Sequence, residues 1–265
     1  IGEERFRREH ECEFLIFDET LISSITLADM EGVAPVETTG QVRWFKRPTP
    51  GHTYLVSLDP SMGTGGDYAA IQVFELPTFE QVGEWHHNQT PMNQQIRILQ
   101  GINKHIHDTI MEKDSTATPQ IFYSMENNTI GEAALMRVMD IGEENIVGMF
   151  LSEPIRKGHR RKFRRGFNTT AKHKIDACTK FKELVEGGKM KINSQLLISE
   201  MKDFVASGLS YKAKPGQHDD LVSSCLLMTR MMKVLADFDP KIFEKWTDRT
   251  SELTTPMPIF GNFYG

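Results

Sequence analysis

The pattern of apolar and polar residues predicts three strands and then a helix in the first half of the chain. Three short β-rich runs, each bounded by turn residues, occur at residues 53–58, 70–74 and 81–85. Their short connections predict an antiparallel meander. Apolar residues then recur at spacings of three and four from Met92 to Ile110, which indicates an amphipathic helix. Thr90 and Pro91 suit its N-cap and first turn.

The remaining pattern alternates between strands and helices. Strands are predicted at residues 120–125, 146–151 and 190–192, and helices at 129–140, 170–186, 194–205 and 221–236. The last helix is apolar nearly all round, which predicts that it lies in the core. Three strands, a helix, a strand, a helix, a strand and further helices is the element order of the RNase H-like fold. We therefore predict an α/β protein with a mixed β-sheet flanked by helices, as in integrases and resolvases.

The first 50 residues differ from the rest. A charged, helix-compatible opening is followed by Ser/Thr-rich chain and by a Gly/Pro/Val/Thr stretch that ends near Gly51. Such composition is typical of linkers. We predict a linker and docking segment at residues 1–50, the main domain at 51–240 and a C-terminal tail at 241–265.

Acidic residues stand where three apolar elements begin or end. Asp59 closes the first strand, Glu126 closes the fourth, and Asp219 and Asp220 open the last helix. Parallel strands bring their carboxyl ends to one sheet edge, so we expect these side chains to meet there. Carboxylates this close repel unless cations neutralise them, and their oxygens suit Mg²⁺ or Mn²⁺. Two such ions, about 3.5–4 Å apart and bridged by Asp59, would serve phosphodiester hydrolysis.

Several nearby residues have two interpretations. The glycines of the loop at residues 59–67 would let backbone approach a phosphate, or simply form a hairpin turn. Asp67 is an auxiliary metal ligand or a turn residue. His218 is a proton shuttle or a surface histidine. Asp219 or Asp220 could equally serve only as a helix cap, and Glu126 only as a strand-end residue.

The charge of the chain is unevenly distributed. The net charge of -5 argues against a protein that simply coats nucleic acid. Between Pro154 and Ile175, however, no Asp or Glu occurs. The cations of this basic segment are Arg156, Lys157, Arg160, Arg161, Lys162, Arg164, Arg165, Lys172 and Lys174. Such a segment beside an acidic site predicts a local contact with the DNA backbone, the alternative being a solvated loop.

Composition excludes other classes of protein. With 39% hydrophobic and 25% charged residues the chain is typical of soluble globular proteins, and no apolar run is long enough to span a membrane. Cys12, Cys178 and Cys225 lie far apart without metal-ligand spacing, so we expect buried, reduced thiols.

Three signatures in order resemble a known family. They are LDPSMGTGGDY at residues 58–68, MENN at 125–128 with Gly131, and HDDLV at 218–222. Together they are similar to the nuclease domain of the large terminase subunit of tailed bacteriophages, closest to T-even-type myoviruses. Residues 4–14 are also similar to the segment where terminase ATPase domains end.

The resemblance implies a headful-packaging motor whose nuclease cuts concatemeric double-stranded DNA with Mg²⁺ or Mn²⁺. It assigns Asp59, Glu126 and one or both of Asp219 and Asp220 to an acidic triad. It also implies the portal and the small terminase subunit as partners, in the cytoplasm of a bacterial host. The chain contains no Gly-x-x-x-x-Gly-Lys-Ser/Thr phosphate loop, so we expect the packaging ATPase domain upstream in the same polypeptide, and no ATPase activity here.

Three alternatives stay open. An actin-like phosphotransferase would need a duplicated half with a second phosphate loop, which the pattern lacks. A non-catalytic module that grips DNA or docks on the portal would not need the full acidic set. A Holliday-junction resolvase or integrase would use the same metal chemistry on another substrate.

Overall fold

The structure, a computed structural model, describes residues 19–154 and 165–238. The strands are β1 (Glu37–Thr39), β2 (Val42–Trp44), β3 (Thr53–Asp59), β4 (Ala69–Leu76), β5 (Glu80–His87), β6 (Gln120–Met125), β7 (Met149–Phe150), β8 (Phe204–Ser207) and β9 (Ser210–Ala213). The helices are α1 (Ser24–Asp29), α2 (Met92–Lys113), α3 (Thr129–Ile141), α4 (Ala171–Glu186), α5 (Gln195–Asp203) and α6 (Asp220–Phe238), with a 3-10 turn at Glu143–Asn145.

Seven strands form one mixed sheet in the order β1-β2-β5-β4-β3-β6-β7, and β8 and β9 form a separate hairpin. β3, β4 and β5 pair antiparallel, as the short connections predict. β6 then joins the other side of β3 in parallel, after the α2 crossover. The result is the predicted mixed sheet flanked by helices, with β3 at its centre.

Each face of the sheet carries its own hydrophobic core. On one face α2 and α3 cover the sheet with side chains such as Ile96, Leu99 and Leu135. On the other face α4, α5 and α6 pack together through Phe181, Ile198 and Cys225. Both faces of β3 and β4 are therefore buried, which explains why these strands read as almost unbroken apolar runs.

The part of the chain before β3 contributes more structure than its composition predicts. Leu21, Ile22 and Leu27 are buried in the core under α4 to α6. β1 and β2 extend the sheet beyond β5, with Trp44 buried at this edge. Strands of three residues are too short to show a period of two, so the sequence predicted none here. The assignment of residues 1–50 to the end of an upstream domain stays a prediction.

Four other predicted elements differ in detail. The strand predicted at residues 146–151 shortens to β7, and that at 190–192 is a single bridge between Lys191 and Glu80. The helix predicted to reach residue 205 ends at Asp203, where the β8–β9 hairpin begins. Thr90 does not cap α2, because its hydroxyl bonds to His87 Nδ1 at 2.7 Å, and Pro91 stands at the cap position.

Cys178 and Cys225 are buried free thiols, and Cys12 lies outside the described residues. Among the described helices, none has both the length and the apolar character that crossing a membrane requires.

Candidate metal centre

Asp59 and Glu126 lie side by side at the carboxyl edge of the sheet. The parallel register pairs Leu58 of β3 with Met125 of β6. The Glu126 backbone N–H donates to the Leu58 carbonyl at 3.2 Å, so both carboxylates leave neighbouring strands at the same level. Their side chains also hydrogen-bond to each other. The strand pairing thus brings together two of the predicted site residues.

The chain that follows β6 fixes Glu126 locally. Asn128 caps α3, since its Oδ1 accepts the Gly131 N–H at 2.8 Å, and its Nδ2 donates to Glu126 Oε2 at 3.3 Å. Asn127 Nδ2 donates to the Arg165 carbonyl at 2.6 Å. A Cβ on Gly131 would lie 1.8 Å from the Glu126 carbonyl oxygen. Only glycine therefore lets α3 begin this close to the site.

Asp219 and Asp220 reach the same edge because α6 packs against β3. The hydroxyls of Ser57 and Ser224 lie 2.8 Å apart in the interior, and Ser57 Oγ donates to the Ser224 carbonyl at 2.9 Å. This contact aligns the N-terminus of α6 with the end of β3. The Asp219 carbonyl accepts the Ser223 N–H at 2.7 Å, which makes Asp219 the N-cap residue and Asp220 the first residue of α6.

Other parts of the chain hold the two aspartates. Asp219 Oδ2 accepts the Ala213 N–H of the β8–β9 hairpin at 3.3 Å. Asp220 accepts the backbone N–H of Tyr68, from the loop after β3. His218 is exposed, and its Nδ1 lies 3.7 Å from Asp220 Oδ2. The aspartates are thus held by the hairpin and by the glycine-rich loop.

The side chains of Asp59, Glu126, Asp219 and Asp220, called here the carboxylate cluster, lie close enough together that the pKa values of Asp59 and Asp220 are raised. Burial raises the pKa of Asp59 well above its usual range, and Glu126, Asp220 and Asp219 add to the shift. Burial and Asp219 likewise raise the pKa of Asp220 to about 6, although the Tyr68 N–H and His218 oppose the change. The cluster therefore holds more negative charge than its surroundings neutralise.

The donor chemistry of the cluster fits a hard divalent cation. Carboxylate oxygens are the ligands that Mg²⁺ and Mn²⁺ prefer, and an added cation would relieve the repulsion that raises these pKa values. Within residues 19–154 and 165–238, no three His, Cys, Asp or Glu side chains converge on one point as ligands of a single ion do. The exposed Asp67 is near enough to raise the pKa of Asp220.

A cleft of about 130 Å³ opens beside the cluster, several times the roughly 30 Å³ that one water occupies in the liquid. Its lining includes the acidic Asp59 and Glu126 and, from α4 and α6, the basic residues His173, Lys174 and Arg230. Lys174 Nζ lies 4.0 Å from Asp219 Oδ2. The cleft therefore combines acidic and basic walls, as binding a phosphate next to a metal ion requires.

Comparison with known families identifies the protein family that contains this fold and carboxylate cluster. The family model described as "Terminase RNaseH-like domain" matches residues 56–231, which include the whole carboxylate cluster. The chain belongs to this terminase family. Its likeness to the T-even type in particular stays a prediction.

Solved terminase nucleases share the fold of this terminase domain. The large terminase nuclease of thermophilic phage G20c is 17% identical, with a TM-score of 0.58 over 81% of this chain and 97% of that one. The nuclease domain of Thermus phage P74-26 is 18% identical, with a TM-score of 0.54 over 76% and 90%. At such low identity the likeness concerns the fold alone.

The terminase domain separates the predicted cations into two groups. Lys174 lines the cleft and Lys172 is exposed on the first turn of α4. Arg165 instead forms an ion pair with Glu143 at 2.5 Å and stacks over Phe150. The other six lie outside the described residues: Arg156, Lys157, Arg160, Arg161, Lys162 and Arg164.

Sequence reasoning missed two residues that line the cleft. Arg230 bonds to Glu153, to the Asn168 carbonyl at 3.0 Å and to Thr169 Oγ1 at 2.9 Å, which holds the chain before α4 against α6. An arginine within an otherwise apolar helix was the available signal. His173 lies between Lys172 and Lys174, and its place within the basic segment was the available signal.

Proposed function

We propose that this terminase domain is a divalent-metal-dependent endonuclease that cuts concatemeric double-stranded DNA during headful packaging. The carboxylate cluster carries the proposal, because β3, β6 and α6 of a terminase fold deliver four acidic side chains to one sheet edge. The G20c terminase nuclease has been solved with bound magnesium and with bound cobalt. These structures support a divalent cation such as Mg²⁺ as the cofactor of the related domain described here, and Mn²⁺ suits the same oxygen ligands.

The residues of the cluster have distinct proposed roles. Two divalent ions, when bound, would stabilise the attacking and leaving oxygens of an in-line phosphodiester displacement. Asp59 interacts with all three other members of the cluster, Glu126, Asp219 and Asp220, so it is the candidate ligand to both ions. Glu126 and the aspartate pair, Asp219 and Asp220, would supply the other ligands to the two ions. Asp67, being exposed, is at most an auxiliary ligand.

The basic wall of the cleft would receive the DNA. Lys174 is directed to Asp219, so its charge lies where a phosphate must approach the cluster. Lys172 extends the same surface along α4. Arg230 is already bonded to Glu153, Asn168 and Thr169, so its role is to hold the wall rather than to contact phosphate. We propose that the rest of the basic segment continues this path along the DNA backbone.

Membership of the terminase family supports a proposal about the larger protein and its partners. We propose that the domain works in the large terminase subunit together with a packaging ATPase domain upstream in the same polypeptide. Its partners would be the portal and the small terminase subunit, in the cytoplasm of the bacterial host.

Substrate preference tests the proposal. The purified chain is incubated with supercoiled plasmid, linear duplex and a four-way junction, each with Mg²⁺, Mn²⁺ or EDTA. We expect both metals to support nicking and linearisation of the plasmid and cutting of linear duplex, and EDTA to abolish them. Cleavage confined to the junction would assign a resolvase instead. Duplex binding with no cleavage in either metal would assign a non-catalytic DNA-gripping module.

A further inference from the structure

Glu200 of α5 contacts the start of α6, immediately after the aspartate pair. Only 10% of its side chain is exposed. Its Oε2 accepts the backbone N–H of Leu221 at 2.9 Å and that of Val222 at 3.2 Å. These are the second and third N–H groups of the helix, which have no partner inside it and which the side chain of an N-cap residue ordinarily binds.

Asp219 occupies the N-cap position of α6 but makes different contacts. Its Oδ2 accepts the Ala213 N–H from β9, and Lys174 Nζ lies 4.0 Å away. A carboxylate that binds the first turn of its own helix is turned along the helix axis. Because Glu200 binds those N–H groups instead, the carboxylate of Asp219 faces β9 and Lys174, and Lys174 lines the cleft.

The second oxygen of Glu200 lies near His86, which is connected through Tyr68 to Asp220. Glu200 Oε1 lies 3.6 Å from His86 Nε2, and both atoms are buried without a hydrogen bond. The His86 ring stacks on Tyr68 with centroids 4.1 Å apart, and the Tyr68 backbone N–H donates to Asp220. Glu200, His86 and Tyr68 thus form a series of contacts that ends at the carboxylate of Asp220.

We propose that Glu200 is a positioning residue, which caps α6 in place of Asp219 and so keeps the carboxylates of Asp219 and Asp220 available to the metal centre. The inference rests on the proposed function. It deepens that function by assigning the helix cap and the metal ligands to different side chains. Partners behind metal ligands commonly change metal affinity by about 10- to 100-fold when removed.

Four variants of the purified chain test the inference. Glu200→Ala removes the cap, and Glu200→Asp withdraws the carboxylate by one methylene. Glu200→Gln keeps an acceptor oxygen at the same length. Ser23→Ala is the matched control, because it removes the side-chain cap of α1, where Ser23 Oγ accepts the Thr26 N–H at 3.2 Å.

Two readouts are measured on each variant. Calorimetry with Mn²⁺ measures metal affinity without cleavage. Amide hydrogen exchange in EDTA reports whether the N–H groups of Leu221 and Val222 are still protected. For Glu200→Ala and Glu200→Asp we expect Mn²⁺ binding about tenfold weaker or worse, with faster exchange at both amides. Glu200→Gln and Ser23→Ala should bind Mn²⁺ within about threefold of the parent, with both amides protected.

The outcomes separate the inference from the proposed function. Unchanged Mn²⁺ affinity in both Glu200→Ala and Glu200→Asp would overturn the positioning role. Equal weakening in Glu200→Gln would also overturn it, because the charge rather than the cap would then matter. Should Glu200→Ala fail to fold, Glu200→Asp carries the same test. A parent that binds no Mn²⁺ refutes the metal centre, whereas the exchange measurement still decides whether Glu200 caps α6.

Discussion

Two groups of acidic side chains lie at opposite ends of the central strand, and they differ in how their charge is balanced. Near the start of β3, Glu75 and Glu80 meet Lys46 and Lys191, here called the balanced cluster. Glu75 is fully buried and contacts Lys46, whose Nζ lies 3.1 Å from Glu80. Lys191 Nζ lies 2.6 Å from the other oxygen of Glu80. At the end of β3, by contrast, the carboxylate cluster has an exposed histidine, His218, at 3.7 Å from Asp220 and Lys174 at 4.0 Å from Asp219.

The pKa shifts in the two clusters have opposite directions. Burial opposes ionisation of Glu80, but hydrogen bonds from Lys191, Asn193 and Lys46 outweigh it and lower the pKa. For Asp59 both burial and neighbouring carboxylates raise the pKa. The balanced cluster finds its counter-charges within the chain and can serve folding alone. The carboxylate cluster lacks them, which is the physical sign of a site that binds cations from solution.

The largest expected effect is the loss of cleavage when one carboxylate of the carboxylate cluster is replaced by a neutral amide. Asp59→Asn and Glu126→Gln should each lower Mg²⁺-dependent plasmid cleavage by about a hundredfold or more, because a charge that holds metal is lost. Circular dichroism should show an intact fold. Glu75→Gln, in the balanced cluster, is the control, which should lose stability but keep cleavage. Parent-like cutting by Asp59→Asn would remove Asp59 from the site.

A smaller effect is expected on DNA affinity when the basic segment is neutralised. Each phosphate contact adds about 0.9 to the slope of log affinity against log salt. Changing Arg160, Arg161, Arg164 and Arg165 to Ala should flatten that slope and weaken duplex binding independently of sequence. Binding is measured by fluorescence anisotropy across a salt series.

Arg97→Ala together with Arg137→Ala provides the control, since both residues are exposed on α2 and α3. If the fourfold variant keeps the parent slope, the segment is a solvated loop or a docking surface.

The smallest expected effect concerns the pH dependence of stability in metal-free protein. The pKa of Asp220 is about 6 in the fold against 3.8 as its ordinary value, so the folded state binds more protons between these limits. Stability should therefore fall as pH rises from about 4 to 6. Asp220→Asn removes this penalty, at roughly 1.4 kcal/mol per pKa unit, so it should be more stable than the parent at pH 7.

The measurement is thermal unfolding in EDTA from pH 4 to 8. The advantage of Asp220→Asn should vanish near pH 4, where the aspartate of the parent is protonated in the fold. An advantage of equal size at all pH values would show that charge repulsion is not its cause. Glu112→Gln, on the exposed side of α2, should behave as the parent throughout.

Much of the fold could be predicted because its central elements have clear periodicities. β3, β4 and β6 are mostly apolar runs, and α2 shows its buried stripe from Ile96 to Ile110. The β8–β9 hairpin escaped prediction because its strands have four residues each, and the apolar pattern of α5 continues smoothly into Phe204 and Val205. Propensity cannot locate a boundary that packing against β9 decides.

The meeting of the four members of the carboxylate cluster could be predicted because each ends or begins an element with an apolar interior. Glu200 could not, because a glutamate in the middle of a short amphipathic helix resembles an ordinary exposed residue. Its burial follows from the packing of α5 against α6, which no local pattern contains. For Asp219 the sequence misleads in the other direction. Its position before α6 predicts that its side chain caps the helix, but in the structure Glu200 binds the N–H groups of the first turn.

The contact between Ser57 and Ser224 has a consequence for the order in which the domain matures. β3 to β6 and α2 are contiguous in the chain, and they can assemble with Asp59 and Glu126 while later residues are still being synthesised. The two serines are buried together only when α6, the last described helix, docks on β3. The aspartate pair arrives with that helix. A nascent chain therefore carries an incomplete carboxylate cluster until α6 has emerged from the ribosome and docked on β3.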